Sequence, residues 1–139
     1  MPIDFANANW TAILLASVLY FVLGGLWFSP VAFQKQWDRG IGFDRPRAWK
    51  PGPQYFVVPF LGCFTISLAT ALVLRAANAR SLMDATILGL LVGAGYVGAS
   101  TAMLAVTPTT PRPALLSAVV GIYHVVGILM ISLVIFALR

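Results

Sequence analysis

Residues 114–138 read ALLSAVVGIYHVVGILMISLVIFAL, a run of 25 residues without Asp, Glu, Lys or Arg. A helix needs about 20 apolar residues to cross the roughly 30 Å hydrocarbon core of a bilayer. Backbone N–H and C=O groups in lipid must be satisfied within the segment, and barrel strands would have only about 10 residues, so the run favours a helix. It therefore predicts a transmembrane helix that contains His124.

Three more apolar runs precede it, at residues 10–28, 55–74 and 82–106. The second and third are joined by only a few residues, which predicts a close antiparallel hairpin. We expect one domain over residues 1–139, an all-α, four-helix transmembrane bundle.

The composition excludes a soluble globule. Apolar residues make up 60% of the 139 and charged residues only 9%, against roughly 45–50% and roughly 25% in ordinary soluble domains. The single cysteine excludes an internal disulfide and a multi-cysteine metal site. A net charge of +5 could suggest nucleic acid, so the location of the charges has to decide.

The positive charges are unevenly divided between the two ends of the predicted bundle. The loops at residues 29–54 and 107–113 carry six cations, and the opposite end carries Arg75, Arg80 and Arg139. The positive-inside rule then places both termini outside the cytoplasm of a multi-pass protein of the cell (inner) membrane. Basic loops beside spans are typical of anionic headgroup contacts, and we expect no nucleic acid partner. The six cations are Lys35, Arg39, Arg45, Arg47, Lys50 and Arg112.

The chain start does not resemble a cleavable signal. Residues 1–9 contain Asp4 and no Lys or Arg, whereas a secretory signal has a basic n-region. We therefore expect the first span to stay in the mature protein, with Asn9 as its N-cap.

The first loop predicts a short interfacial helix between spans one and two. Ser29 and Pro30 read as an N-cap and first helical residue, and Gly40 and Gly42 would end the helix. This helix could be a lever at the membrane surface or a docking surface for a partner. We favour a tether that fills the surface between spans one and two. The expected interfacial anchors are Trp10, Trp27, Ser29, Pro30, Phe33 and Trp37.

The third span is rich in small residues, which let helix backbones approach closely in lipid. We expect it to be the most tightly packed span, through contacts within the bundle or with another protein. At its start, Ser81 and Asp84 have the spacing of a capping box, which gives Asp84 a structural role. The predicted packing rows are Ala85, Gly89 and Gly93, and Ala94, Gly98 and Ala102.

His124 is the most informative polar residue because it lies in mid-span. Gly121 and Gly127 fall on its side of the helix and would leave a dent around the imidazole, with Tyr123 beside it. The histidine could bond a hydroxyl of another helix, ligate a tetrapyrrole as cofactor, or titrate in a proton or ion path. The hydroxyls considered are those of Tyr96, Thr65, Thr70 and Ser100.

Features of an enzyme or pump are missing from the sequence. The spans hold no Asp, Glu, Lys or Arg away from their ends, and there is no metal-ligand spacing or phosphate loop. Cys63 lies in an apolar run, where a thiol is unreactive. We therefore predict a protein that is not an enzyme.

The chain resembles a bacterial family catalogued as domain of unknown function 1761. Asn9-Trp10 resembles the start of that family's first helix, and residues 24–30, GGLWFSP, resemble its exit, with Phe28 where Tyr is usual. The weaker match continues through the Gly-rich third span, Arg112-Pro113 and residues 121–124, GIYH. The resemblance implies a small four-helix integral membrane protein and brings no activity with it.

These observations favour a non-catalytic helix-packing protein, either a homo-oligomer or an accessory subunit of a larger membrane complex. One alternative is an oligomeric channel or facilitator for a small solute or ion. A second is a haem- or chlorophyll-associated subunit with His124 as ligand. Besides His124, the facilitator would use the hydroxyls of Thr65, Ser67, Thr70, Ser100 and Thr101.

Overall fold

The computed structural model describes residues 8–139, so Asp4 lies outside the described residues. Between residues 8 and 139 the chain forms helices joined by turns and irregular loops, without a strand, and this confirms the all-α fold. The elements are α1 Trp10–Trp27, α2 Gln34–Ile41, α3 Gln54–Ala76, α4 Leu82–Leu90, a π-helical segment Leu91–Gly98, α5 Ala99–Ala105 and α6 Pro113–Ala137.

Four rods are long and apolar enough to cross a membrane: α1, α3, α6 and the continuous rod Leu82–Ala105, here called the third span. Their observed ends lie within two residues of the ends predicted from the uncharged runs. The protein is thus a multi-pass membrane protein by helix length and composition.

The fourth span, α6, is the centre of the bundle. It packs against α1, α2, α3 and the third span, and α1 also packs against α3. In the most apolar stretch of α6, 44% of the residues are buried inside the protein, whereas in the corresponding stretch of the third span only 11% are buried. The third span is therefore attached to the side of α6, and our expectation that it is the most tightly packed span is wrong.

Polar contacts fix the ends of two helices. Asn9 caps α1 by accepting a hydrogen bond from the N–H of Ala12 at 3.0 Å, and its amide donates to the carbonyl of Leu138 at 2.6 Å. The capping box is confirmed, since the N–H of Asp84 donates to Ser81 Oγ and the Asp84 carboxylate accepts from the N–H of Ser81. The same carboxylate accepts from the backbone N–H of Arg80 at 2.7 Å.

The short interfacial helix exists but begins later than the sequence predicts. It starts at Gln34, and residues 29–33 form turns. Ser29 donates its hydroxyl to the carbonyl of Leu26 at 2.6 Å, so it closes the end of α1 and does not cap α2. Gly42 ends α2 with φ +73°, a left-handed conformation that favours glycine.

Helix α2 is held against the start of α6. A Cβ added at Gly40 would lie 3.1 Å from Cβ of Leu116, and one added at Gly42 would lie 2.7 Å from Cγ of Pro111. The N–H of Arg112 donates to the carbonyl of Gly40 at 3.4 Å. These close contacts make α2 a fixed part of the end of the bundle.

Candidate functional site

A polar pair joins α1 and α6 in the middle of the bundle. Tyr20 is fully buried, and its hydroxyl lies 2.5 Å from Nδ1 of His124, a short hydrogen bond in which the tautomer decides the donor. The two rings meet edge to face with centroids 6.1 Å apart. A hydrogen bond through Nδ1 of His124 thus links polar side chains of two different spans.

Tyr123 extends this pair towards α3. Its hydroxyl donates to the carbonyl of Tyr20 at 3.4 Å and lies 3.8 Å from Sγ of Cys63. A Cβ added at Gly24 would lie 2.7 Å from the same hydroxyl, so the missing side chain at Gly24 makes room for it. We call Tyr20, Cys63, Tyr123 and His124 the intramembrane cluster.

The glycines around His124 do not leave an open dent. A Cβ added at Gly127 would collide with the ring of Tyr20, so that ring fills the space beside Gly127. Gly121 is buried and faces the third span, where an added Cβ would lie 3.9 Å from the carbonyl oxygen of Gly98. The dent expected beside Gly127, which one of the three alternatives for His124 would fill with a tetrapyrrole, is therefore occupied by Tyr20.

No grouping of three or more His, Cys, Asp or Glu that could hold a metal ion occurs within residues 8–139. Cys63 and His124 instead bond tyrosine side chains. The arrangement can orient helices by directional hydrogen bonds in a low-dielectric interior, where such bonds are strong.

The histidine's partner differs from the four hydroxyls considered from the sequence. Tyr96 is 74% exposed on the third span, Ser100 is also exposed, and Thr65 donates to the carbonyl of Leu61 in its own helix. Thr70 is buried, and its hydroxyl has no partner among the described residues. Tyr20 could have been found by the reasoning used for His124, because it is a polar aromatic residue inside an apolar run.

The hydroxyls named for a facilitator do not line a common path. Ser67 and Thr70 are buried on α3, whereas Thr65 and Ser100 are exposed. Thr101 donates to the carbonyl of Val97 one turn earlier. The polar groups are therefore distributed between the protein interior and the outer surface of the bundle.

The first small-residue row packs against α6. Ala85, Gly89 and Gly93 are buried, and a Cβ added at Gly93 would lie 3.2 Å from Cα of Val125. At Gly89 the added atom would meet Ser132 Oγ at 2.8 Å. This row therefore provides contact within the chain.

The second row is divided by the π-helical segment. Gly98 and Ala102 are half-buried, but Ala94 is exposed. Gly95, which the sequence analysis did not single out, has open space where a Cβ would be. Because π-helical turns contain more residues than α-helical turns, they shift which residues share a face, and π-bulges are frequent at functional sites.

The outer surface of the third span is unpartnered within the chain. We call this surface the third-span face and define it by Leu91, Ala94, Gly95, Tyr96, Ala99, Ser100 and Met103, all of which are exposed. The side-chain hydroxyls of Tyr96 and Ser100 bond no other described residue. The face thus combines small residues, large apolar residues and two free hydroxyls, of which that of Tyr96 is nearer the middle of the span.

The residues expected to anchor the protein at the membrane interface differ in exposure: some are exposed and others pack inside the bundle. Trp10 is 43% exposed, as suits an anchor, and Phe33 and Pro30 are also exposed. The indole N–H of Trp27 donates to the carbonyl of Val119 at 3.0 Å, inside the bundle. Trp37 is half-buried, with its ring 6.0 Å from that of Phe28. Trp27 and Trp37 therefore contribute to packing at this end.

Comparison with known protein families identifies a match over most of the chain. A family model described as "Protein of unknown function (DUF1761)" matches residues 11–136, nearly the whole chain. Neither the curated proteins nor the solved structures include a match to this chain.

Proposed function

The chain belongs to the DUF1761 family, and we propose that it is a non-catalytic membrane protein that associates with a second copy of itself through the third-span face. The observation that carries this proposal is the contrast between the two sides of the third span. One side is packed against α6 through glycines, and the other exposes Tyr96 and Ser100 without partners.

Exposed hydroxyls within a membrane span favour a protein partner. Lipid hydrocarbon offers no hydrogen bonds, so a phenol or hydroxyl gains from meeting another polar side chain. In a two-fold dimer the same patch faces itself, and each hydroxyl can both donate and accept. A pair of Tyr96 or Ser100 side chains can therefore satisfy itself across the symmetry axis.

The small residues on the third-span face support the same partner. Nothing lies within 4 Å of the position that a Cβ would take at Gly95. Ala94 and Ala99 are exposed beside it. Small residues let two backbones approach, and packing of this kind drives helix association in lipid.

Replacing Gly95 with leucine should weaken self-association at least tenfold without unfolding the protein, because the new side chain keeps the two backbones apart. The matched control is Gly62→Leu, on the outer side of α3, where an added Cβ also meets open space. Energy transfer between labelled copies, measured against protein-to-lipid ratio in bilayers, gives the association constant.

Self-association is contradicted if Gly95→Leu associates as the wild type does, or if the wild type is monomeric at every ratio. It is also contradicted if the purified protein carries a different membrane protein on this face, which would indicate an accessory subunit. If Gly95→Leu and Gly62→Leu weakened self-association equally, the contact between copies would not lie on the third-span face.

A facilitator for a small solute or ion has less support. The intramembrane cluster engages His124 with Tyr20, and the other hydroxyls face different directions. Four helices also leave no room for an aqueous lumen within one protomer. The haem- or chlorophyll-associated alternative has no open slot beside Gly127.

We also propose that the protein lies in the cell membrane with both termini outside the cytoplasm. The support is the charge asymmetry, with six Lys and Arg in the two loops at one end and three at the other.

A further inference from the structure

The end of the bundle formed by α2 and the loops around it has an excess of exposed positive charge. Two carboxylates lie at this end, Asp38 and Asp44, and only Asp44 is exposed. We call the exposed cations of this end the basic surface. Its members are Lys35, Arg39, Arg47, Lys50 and Arg112.

Asp38 does not neutralise the basic surface, because it is committed to Arg45. Two guanidinium nitrogens of Arg45 donate to the two carboxylate oxygens at 2.9 and 2.7 Å. The hydrogen bonds to Asp38 raise the pKa of Arg45 above its already high ordinary value, so the guanidinium keeps its charge. The five remaining cations therefore face one exposed carboxylate.

The segment that carries Arg47 and Lys50 is fixed to α2. The guanidinium carbon of Arg45 lies 4.3 Å from the ring centroid of Trp49 and 5.1 Å from that of Phe43. The Trp49 ring in turn meets Tyr55, in the first turn of α3, with centroids 5.5 Å apart. The basic surface is thus built on packed aromatic rings and not on a loose loop.

Exposed apolar side chains next to the basic surface place it at the level of the lipid headgroups. Val31 is 91% exposed, and Phe33 is exposed directly before α2. On α2 itself, Lys35 and Arg39 are one helical turn apart on the same side. Apolar side chains in the acyl region beside cations at the phosphate level are typical of interfacial helices.

We propose that the basic surface binds the phosphate headgroups of anionic phospholipids in the adjacent leaflet. Lys35 and Arg39 on α2 and Arg112 before α6 form its centre, since the backbone of Arg112 bonds the carbonyl of Gly40 at the end of α2. The occupant is a lipid because the cations adjoin exposed apolar side chains, which favour an acyl chain and disfavour a soluble anion.

The test uses the full-length protein in mixed micelles with phosphatidylglycerol or phosphatidylcholine, and native mass spectrometry counts the retained lipids. The wild type should retain phosphatidylglycerol in preference to phosphatidylcholine, and the preference should fall as salt rises. Each Lys or Arg replaced by glutamine should lower the affinity for phosphatidylglycerol about fivefold. The triple variant that combines Lys35→Gln, Arg39→Gln and Arg112→Gln should lower that affinity on the order of 100-fold.

Arg80→Gln is the matched control, because Arg80 is exposed at the opposite end of the bundle. It should retain lipid as the wild type does, and free inorganic phosphate should not displace phosphatidylglycerol from either protein. The proposal is overturned if both lipids are retained equally, if the triple variant binds like the wild type, or if Arg80→Gln loses as much as Arg39→Gln. Displacement by inorganic phosphate would overturn the choice of a lipid. Unchanged circular dichroism shows that the variants fold.

Discussion

Replacing Gly127 with alanine should lower the free energy of unfolding by at least ~2 kcal/mol, a large cost for one methyl group. The added Cβ would overlap the ring of Tyr20. That ring is fully buried and tied to Nδ1 of His124, so it cannot turn aside without breaking the hydrogen bond. Reversible unfolding in mixed micelles with increasing SDS measures the change.

Gly62→Ala is the control for the effect of changing a helical glycine to alanine where no side chain is in the way. An added Cβ at Gly62 has open space, so the change should stay within about 0.5 kcal/mol of the wild type. Tyr20→Leu removes the obstructing ring. In that variant, Gly127→Ala should lower the free energy of unfolding by less than it does in the wild type, because the two sites touch. Wild-type stability of Gly127→Ala would contradict the packing of α1 on α6 described here.

Replacing Gly93 with leucine should separate the third span from α6. The added Cβ would lie 3.2 Å from Cα and 3.3 Å from the carbonyl oxygen of Val125, and backbone atoms cannot rotate out of the way. Since the third span packs mainly against α6, we expect a loss of roughly 3 kcal/mol. The same unfolding measurement reports it.

Gly95→Leu is the internal comparison, because it lies two residues later in the same π-helical segment and faces open space. It should leave stability close to that of the wild type and change self-association instead. If Gly93→Leu and Gly95→Leu lost equal stability, the assignment of one side of the third span to α6 and the other to a partner would be wrong.

The spans could be predicted from the sequence because the bilayer imposes one simple rule on length and charge. Residues 114–138 have no charged side chain, and α6 occupies Pro113–Ala137. The capping box at Ser81 and Asp84 was also predictable, because it depends on a spacing of three residues within one turn.

The partners inside the bundle could not be predicted, because they depend on the relative depth and rotation of different helices. Periodicity identifies His124 and Gly127 on one side of α6, but it does not reveal that Tyr20 fills the space beside them. The sequence likewise suggested an N-cap at Ser29, whereas the hydroxyl bonds the last turn of α1. His124 and Ser29 each have more than one possible hydrogen-bond partner until the relative positions of the helices are known.

The π-helical segment explains why the small-residue rows were only partly informative. Residues 91–98 contain Gly93 and Gly98, which the small-residue spacing assigned to two regular α-helical faces. The wider turns bring Gly93 against Val125 and leave Ala94 and Gly95 on the outside. Local spacing does not predict such a change of register.

Cysteine crosslinking in the native membrane reports whether two copies meet through the third-span face, as proposed. In a chain whose own cysteine is removed by Cys63→Ala, Gly95→Cys should give a disulfide-linked dimer under mild oxidation, because a two-fold contact brings the same residue of both copies together. Gly62→Cys, on the outside of α3, should remain monomeric. A Gly95→Cys protein that stays monomeric, or a Gly62→Cys protein that crosslinks as strongly, would contradict this account.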